Sequence, residues 1–215
     1  MIRIVALVGI DGAGKTTQAR ELAGWLTARG HPADYHQNAG GRRALGRLAR
    51  RLGRREADDL LGVRGLLFVE AILRWLAIAR ALLLSRLRRR VAVMDRYSCC
   101  QYANIRARGA RGERWARWLF GLFPAPDVTF FLAVAPGQAY ARVELRGTDH
   151  EDPDYLARAD AAYRSLPEAA GFTVVDAGGT PGDVAADLRR ALLGEPVPAP
   201  RKPSSSTRAG RSVAA

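Results

Sequence analysis

The sequence predicts the α/β class, a three-layer architecture in which a five-stranded parallel sheet is flanked by helices on both faces. Three observations predict it. Four short runs rich in Val, Ile and Phe, with a weaker fifth around 33–36, alternate with longer stretches of helical period, the pattern of buried parallel strands and their crossover helices. The first run passes directly into a glycine-rich loop that opens a helix. Two of the runs end on an aspartate, Asp95 and Asp176, at the strand ends where ligands gather in such sheets.

Residues 2–8 form the first run, apolar and largely β-branched apart from Arg3, as a strand buried on both faces requires. A helix over 15–29 carries Leu22, Trp25 and Leu26 at helical spacing and stops at Gly30-His31-Pro32. The weakest strand is expected around 33–36, and helices over 43–56 and 65–89 follow it. The third strand, 91–94, ends at Asp95, with helices over 98–108 and 113–122 behind it. The fourth strand covers 128–134 and leads to helices over 136–146 and 153–169. The fifth covers 172–175, ends at Asp176, and is closed by a helix over 182–193. One domain is expected over residues 1–194. Residues 195–215 lose all apolar period and are rich in Pro, Ser, Ala and Arg, which predicts a disordered basic tail.

The loop after the first strand reads Gly9-Ile10-Asp11-Gly12-Ala13-Gly14-Lys15-Thr16-Thr17. This is G-x-x-x-x-G-K-[ST], the P-loop, and it identifies the predicted architecture as the P-loop NTPase fold. Backbone N–H groups surround phosphate oxygens, the Lys reaches the outer phosphates and the Thr hydroxyl faces Mg²⁺. The phosphates then sit at a helix N-terminus, where orphan N–H groups and the helix dipole favour anions. Lys15 is one of two lysines in a chain with 34 Lys+Arg. A site that departs from the arginine habit needs a slim ammonium in place of a planar guanidinium. A nucleoside triphosphate with Mg²⁺ is the expected ligand.

The net charge is +13, which first suggests nucleic acid or an anionic surface. Arginine is spread along the whole chain, however, and residues 42–55 hold seven of them beside an apolar stripe of Leu45, Leu48, Ala49 and Leu52. No recognition-helix pattern accompanies them, and polyanionic substrates account for part of the excess. Cys99 and Cys100 are adjacent, so no ordinary disulfide framework is available, and a reducing, cytoplasmic interior is the simpler expectation. Residues 66–85 are rich in Leu but contain Glu70, Arg74 and Arg80, so a long buried helix is expected there and not a membrane span.

Asp95-Arg96-Tyr97 closes the third strand. A carboxylate there reaches the cation of a bound nucleotide, and the neighbouring Arg binds a phosphate. Gly9 to Gln18 together with Asp95-Arg96-Tyr97 resembles the thymidylate kinase family. In the same order come Gly40-Gly41, Leu66-Leu67-Phe68, Pro126-Asp127, Arg142-Val143-Glu144-Leu145-Arg146-Gly147 and Asp176-Ala177 followed by Pro181. The resemblance covers residues 1–193 and implies transfer of the ATP γ-phosphoryl group to a nucleoside monophosphate, dTMP first. It implies donor binding by residues 9–17, with Thr16 and Asp95 toward the metal and Arg142 on the adenine side. Lys15, Asp11, Asp95, Arg96 and Arg146 become the catalytic set. Arg42 and Arg96 would bind the acceptor phosphate, Phe68 would stack on its base, and Gln101 would meet a base edge. A homodimer through the helices near 65–89 and 98–108 is a further implication.

The departures lie on the acceptor side. Counting on from Phe68, the family's base-reading Arg falls at Ile72, and Arg74 is about 200° further around a helix, too far to replace it simply. Asn38 stands for the Glu before the Gly-Gly turn, while Cys100 and Asn104 stand at Ser and aromatic positions. The lid residues 147–152 are acidic. Two alternatives stay open on these grounds: a related kinase redirected to another nucleotide, nucleoside or small substrate, and a nucleotide-binding or nucleic-acid-associated protein with little transferase activity. His31, His36 and His150 have no metal-ligand spacing with the cysteines, and Trp115 and Trp118 are expected in the core or an interface.

Overall fold

A computed structural model describes residues 2–41, 46, 51, 58–147 and 152–196. The most buried strand is β1, Ile4–Val8, whose residues are all inaccessible. It is flanked by β3 (Val91–Asp95) and β4 (Val128–Ala133), with β2 (Ala33–Gln37) and β5 (Phe172–Asp176) at the edges. All four pairings are parallel and the order is β2-β3-β1-β4-β5. A central strand surrounded on both sides and both faces must be apolar throughout, and Ile-Val-Ala-Leu-Val is. The five expected strands are all present, within two residues at each end.

Seven α-helices are found among the described residues. These are α1 (Lys15–Ala28), α2 (Asp58–Arg88), α3 (Ser98–Ala107), α4 (Glu113–Phe120), α5 (Pro136–Arg146), α6 (Pro153–Arg164) and α7 (Pro181–Leu192). Helix α2 begins seven residues before the expected 65 and is interrupted at Gly62, which has non-helical φ 65°, a conformation that glycine adopts freely. The helix expected over 153–169 ends at Arg164, and a 3₁₀ turn, Pro167–Gly171, takes over. Pro167 has no N–H and its ring clashes with the preceding turn, so the helix cannot run through it. The helix expected over 43–56 falls largely outside the described residues, as does the tail from 197 onward.

The core fills both sides of the sheet with Leu7, Met94, Phe130 and Leu132 from the strands and Leu22, Ile78, Ile105, Leu156 and Leu188 from the helices. Helices α2 and α3 rise past the carboxyl edge of the sheet and are tied there by Gln101, whose Nε2 donates to the Leu67 carbonyl at 3.1 Å. The loops after β1, β2 and β3 therefore converge on one edge, the place where a ligand site belongs. No helix among the described residues is long and apolar enough to cross a membrane.

Phe130 is fully buried in β4. Phe130→Ala should lower the free energy of unfolding by about 3–5 kcal/mol, read as a fall in the urea midpoint with little change of slope.

Candidate active site

The loop between β1 and α1 is shaped by three glycines of positive φ: Gly9 (141°), Gly12 (91°) and Gly14 (87°). At Gly12 a side chain is excluded by space as well, since a Cβ would lie 2.3 Å from the Ala139 carbonyl oxygen of α5. Gly14 caps α1 in the left-handed conformation with no side-chain cap, so the first N–H groups of the helix face the loop. Lys15 is 4% exposed. Its Nζ donates to the Ile10 carbonyl at 2.6 Å and to Asp11 Oδ1 at 3.5 Å. Ala13 N–H donates back to the Ile10 carbonyl, and Thr17 faces solvent on the first turn.

Asp11 also accepts from Arg96 Nη2 through the same Oδ1. Desolvation works against its charge, but the Arg96 and Lys15 cations hold its carboxyl far below the usual range. Desolvation lowers the Lys15 ammonium, helped by Arg96 and opposed by Asp11 and Asp95. Thr16 Oγ1 donates to Asp95 Oδ2 at 2.6 Å, and the Tyr35 hydroxyl of β2 donates to the same oxygen at 3.2 Å. Asp95 Oδ1 is buried with no hydrogen-bond partner among the described residues. Lys15, Asp11, Thr16, Asp95 and Arg96 thus form one contiguous array.

Arg96 holds φ 77°, an uncommon conformation for a non-glycine residue that persists only where its surroundings fix it. Those surroundings are explicit. Its N–H donates to the Leu7 carbonyl at 3.1 Å, and its own carbonyl accepts from Asn38 Nδ2 at 2.8 Å. Asn38 is buried at the end of β2, and its backbone carbonyl accepts from Arg74 Nε at 3.4 Å. Arg74 Nη1 donates to Gln101 Oε1 at 2.7 Å. Glu70, one turn before Arg74, accepts from Asn104 Nδ2 at 2.8 Å. Gly40 closes over this group: a Cβ there would lie 3.1 Å from both Arg74 Nη2 and Glu70 Cβ.

A family model described as Thymidylate kinase matches residues 7–188. The chain belongs to the thymidylate kinase family. A probable thymidylate kinase of Pyrobaculum calidifontis is 30% identical over 195 residues, 86% of this chain and 92% of the relative. One of Methanothermobacter thermautotrophicus is 30% identical over 203 residues, covering 87% and 93%. The thymidylate kinase of Thiobacillus denitrificans is 31% identical over 206 residues, covering 88% and 96%.

Phe68 does not share the face of Glu70 and Arg74. It is 53% exposed and stacks on Trp115 of α4 with ring centroids 5.1 Å apart. Ile72 is half-buried, whereas Arg74, set aside by counting from Phe68, is buried against Gln101. The face of α2 that meets α3 carries Leu67, Glu70, Ala71, Arg74 and Ile78, the i, i+3, i+4 progression of one helical stripe. The legible signal was the Glu70–Arg74 pair, two charges four apart in a helix otherwise rich in Leu. Trp118, expected in a core or interface, lies on the surface at 70% exposure.

On the opposite side of the loop, Arg142 Nη1 donates to the Ala177 carbonyl at 2.8 Å, and its Nη2 to the Gly178 and Gly179 carbonyls. Gln18 Nε2 holds the next turn through the Pro181 carbonyl at 2.8 Å. Arg146 turns back onto the Arg142 carbonyl at 3.2 Å. Arg42 and lid residues 148–151 lie outside the described residues. Cys100 lies within the charge field of Arg74 and Arg96. Burial raises its thiol, yet a hydrogen bond from Cys99 and the two guanidinium charges bring it down to about 5.

Gln101→Leu takes its partner away from Arg74 Nη1 in a buried site. It should cost about 1–3 kcal/mol of stability, measured by urea denaturation against the wild type.

Proposed function

We propose that this chain catalyses transfer of the γ-phosphoryl group of ATP to dTMP, with Mg²⁺ bound alongside the donor. The observation that carries this reading is the joining of Lys15, Thr16 and Asp95 with Asp11 and Arg96 into one array at the carboxyl edge of the sheet. The first three residues suit a donor triphosphate, the last two an acceptor.

The chemistry asks little of proton transfer, because an acceptor phosphate is already an anion. Positioning and charge neutralisation supply the catalysis. The amides of Gly9, Ile10, Asp11, Gly12, Ala13, Gly14, Lys15, Thr16 and Thr17 line the donor cradle, and Lys15 Nζ leaves the Ile10 carbonyl for the outer phosphates. Arg142 flanks the adenine through its hold on residues 177–179, and Arg146 faces the lid. Arg96 binds the phosphate shared between acceptor and donor, with Arg42 as its second cation and Asp11 orienting the acceptor sugar. Arg74 and Gln101 meet a base edge, and Phe68, exposed beside Trp115, stacks on the base.

The residues fit a divalent cation. Asp95 Oδ1 is a buried carboxylate oxygen without a partner among the described residues, a costly state that a cation relieves. Thr16 spends its only proton on Asp95 Oδ2 and so turns its lone pairs outward. Thr16 and Asp95 would hold Mg²⁺, which when bound would supply neutralisation of the negative charge of the transferring phosphoryl group.

We place the whole activity in a single domain over residues 1–194, working in the cytoplasm without nucleic acid. The second proposed partner is another copy of the chain. Leu76, Leu83 and Leu87 on α2 are each more than half exposed, an apolar row that association would cover. Replacing Leu76 and Leu83 together by Arg should convert a dimer to a monomer by light scattering; a wild type already monomeric at micromolar concentration removes this part of the proposal.

The kinase reading is tested by ATP consumption with dTMP, dUMP, the other monophosphates and free nucleosides. Turnover on dTMP is expected, and Lys15→Ala should reduce it on the order of 10²-fold or more. Lys15-dependent turnover confined to another acceptor would replace the substrate and leave the donor chemistry standing.

A further inference from the structure

We propose that Tyr35 is a positioning residue for the divalent cation, acting through Asp95: its hydroxyl fixes one carboxylate oxygen so that the other is presented bare to the metal. The inference rests on the donor-site reading above and adds a residue from a different strand to it.

The geometry is asymmetric in an informative way. Both donors to the Asp95 carboxylate, Thr16 Oγ1 at 2.6 Å and Tyr35 Oη at 3.2 Å, fall on Oδ2. Oδ1 receives none among the described residues, although Asp95 is 1% exposed. A carboxylate free to rotate in a buried site would distribute its donors over both oxygens, since an unpartnered buried acceptor costs free energy. Two hydroxyls converging from opposite elements, α1 and β2, oppose that rotation. What remains is a directed lone-pair site beside Thr16, made of hard oxygen as Mg²⁺ requires.

The strand register puts Tyr35 in reach. In the β2–β3 ladder Gln37 pairs with Asp95 and Tyr35 with Val93, so Tyr35 lies on the same face of the sheet as Asp95, one pleat earlier. The long phenol covers that offset where a shorter hydroxyl would not. On its other side the ring lies beneath the Arg20 guanidinium of α1, 5.0 Å from the ring centroid. Partners that orient a ligating carboxylate commonly change metal affinity by factors of ten to a hundred when removed.

The test is equilibrium binding of a fluorescent ATP analogue, titrated with Mg²⁺, to the full chain and to Tyr35→Phe, which keeps the ring and loses the hydroxyl. The Mg²⁺ midpoint should rise on the order of tenfold, with affinity for the metal-free analogue unchanged within about twofold. Arg20→Gln, which keeps the hydroxyl, should leave the midpoint within about twofold of wild type. An unchanged midpoint in Tyr35→Phe overturns the proposal. So does an equal loss of metal-free affinity, which would mark general loosening of the loop, or an equal shift in Arg20→Gln. A wild type with no Mg²⁺-dependent binding would overturn the donor-site reading and this one with it, an outcome separable from the other three.

Discussion

Asp11 is the constraint on which the active edge depends. Two cations, Lys15 and Arg96, are brought to the same corner by β1 and β3, which are hydrogen-bonded neighbours. Without an anion between them they would repel at short range in a partly desolvated place, where screening by water is weak. A single oxygen, Asp11 Oδ1, accepts from both. The carboxylate therefore removes the repulsion between the two cations and holds both at one corner of the sheet. This is preorganisation in the electrostatic sense: the charges are assembled during folding.

The same logic extends outward through Asn38. Its side chain takes the Arg96 carbonyl and its own carbonyl takes Arg74, so one buried amide links the strained turn after β3 to the middle of α2. Gln101 then links Arg74 to α3. A polar network of this kind is stabilising only when its members are satisfied together, which makes the relative height of α2, α3 and the Asp95-Arg96 turn hard to vary independently. Gly40 contributes by having no side chain, since the space that a Cβ would use is taken by Glu70 and Arg74.

The strands and the phosphate loop were legible because each is encoded locally. A doubly buried strand must be apolar, and three glycines spaced around Lys15 have little other use. Helix ends were legible where Gly or Pro stood at them, as at Gly30 and Pro181, and misread where the breaker lay inside an apparently continuous period, as at Pro167. The acceptor side was hard to read because a long helix does not announce its rotation. Counting from Phe68 assumed that the aromatic faced inward. Packing against Trp115 instead turns that side of α2 toward α4 and brings Glu70 and Arg74 to α3. Tyr35 was invisible for a different reason. Its partner is 60 residues away, and nothing in the run Ala-Asp-Tyr-His-Gln distinguishes an edge-strand tyrosine from one aimed at a carboxylate.

The choice between Lys and Arg at the individual positions follows from these contacts. Lys15 presents a compact ammonium to the Ile10 carbonyl at 2.6 Å and to Asp11 Oδ1 at 3.5 Å. Three rotatable N–H donors on a flexible stem suit a charge that serves acceptors on one short loop. Arg74 has the reverse task. Its Nε and Nη1 serve acceptors on two different elements at once, Asn38 and Gln101, which requires a rigid fork. Arg142 likewise spans three successive carbonyls of one turn. In a chain that otherwise takes arginine for its cations, lysine survives in the folded part where the charge must stay compact.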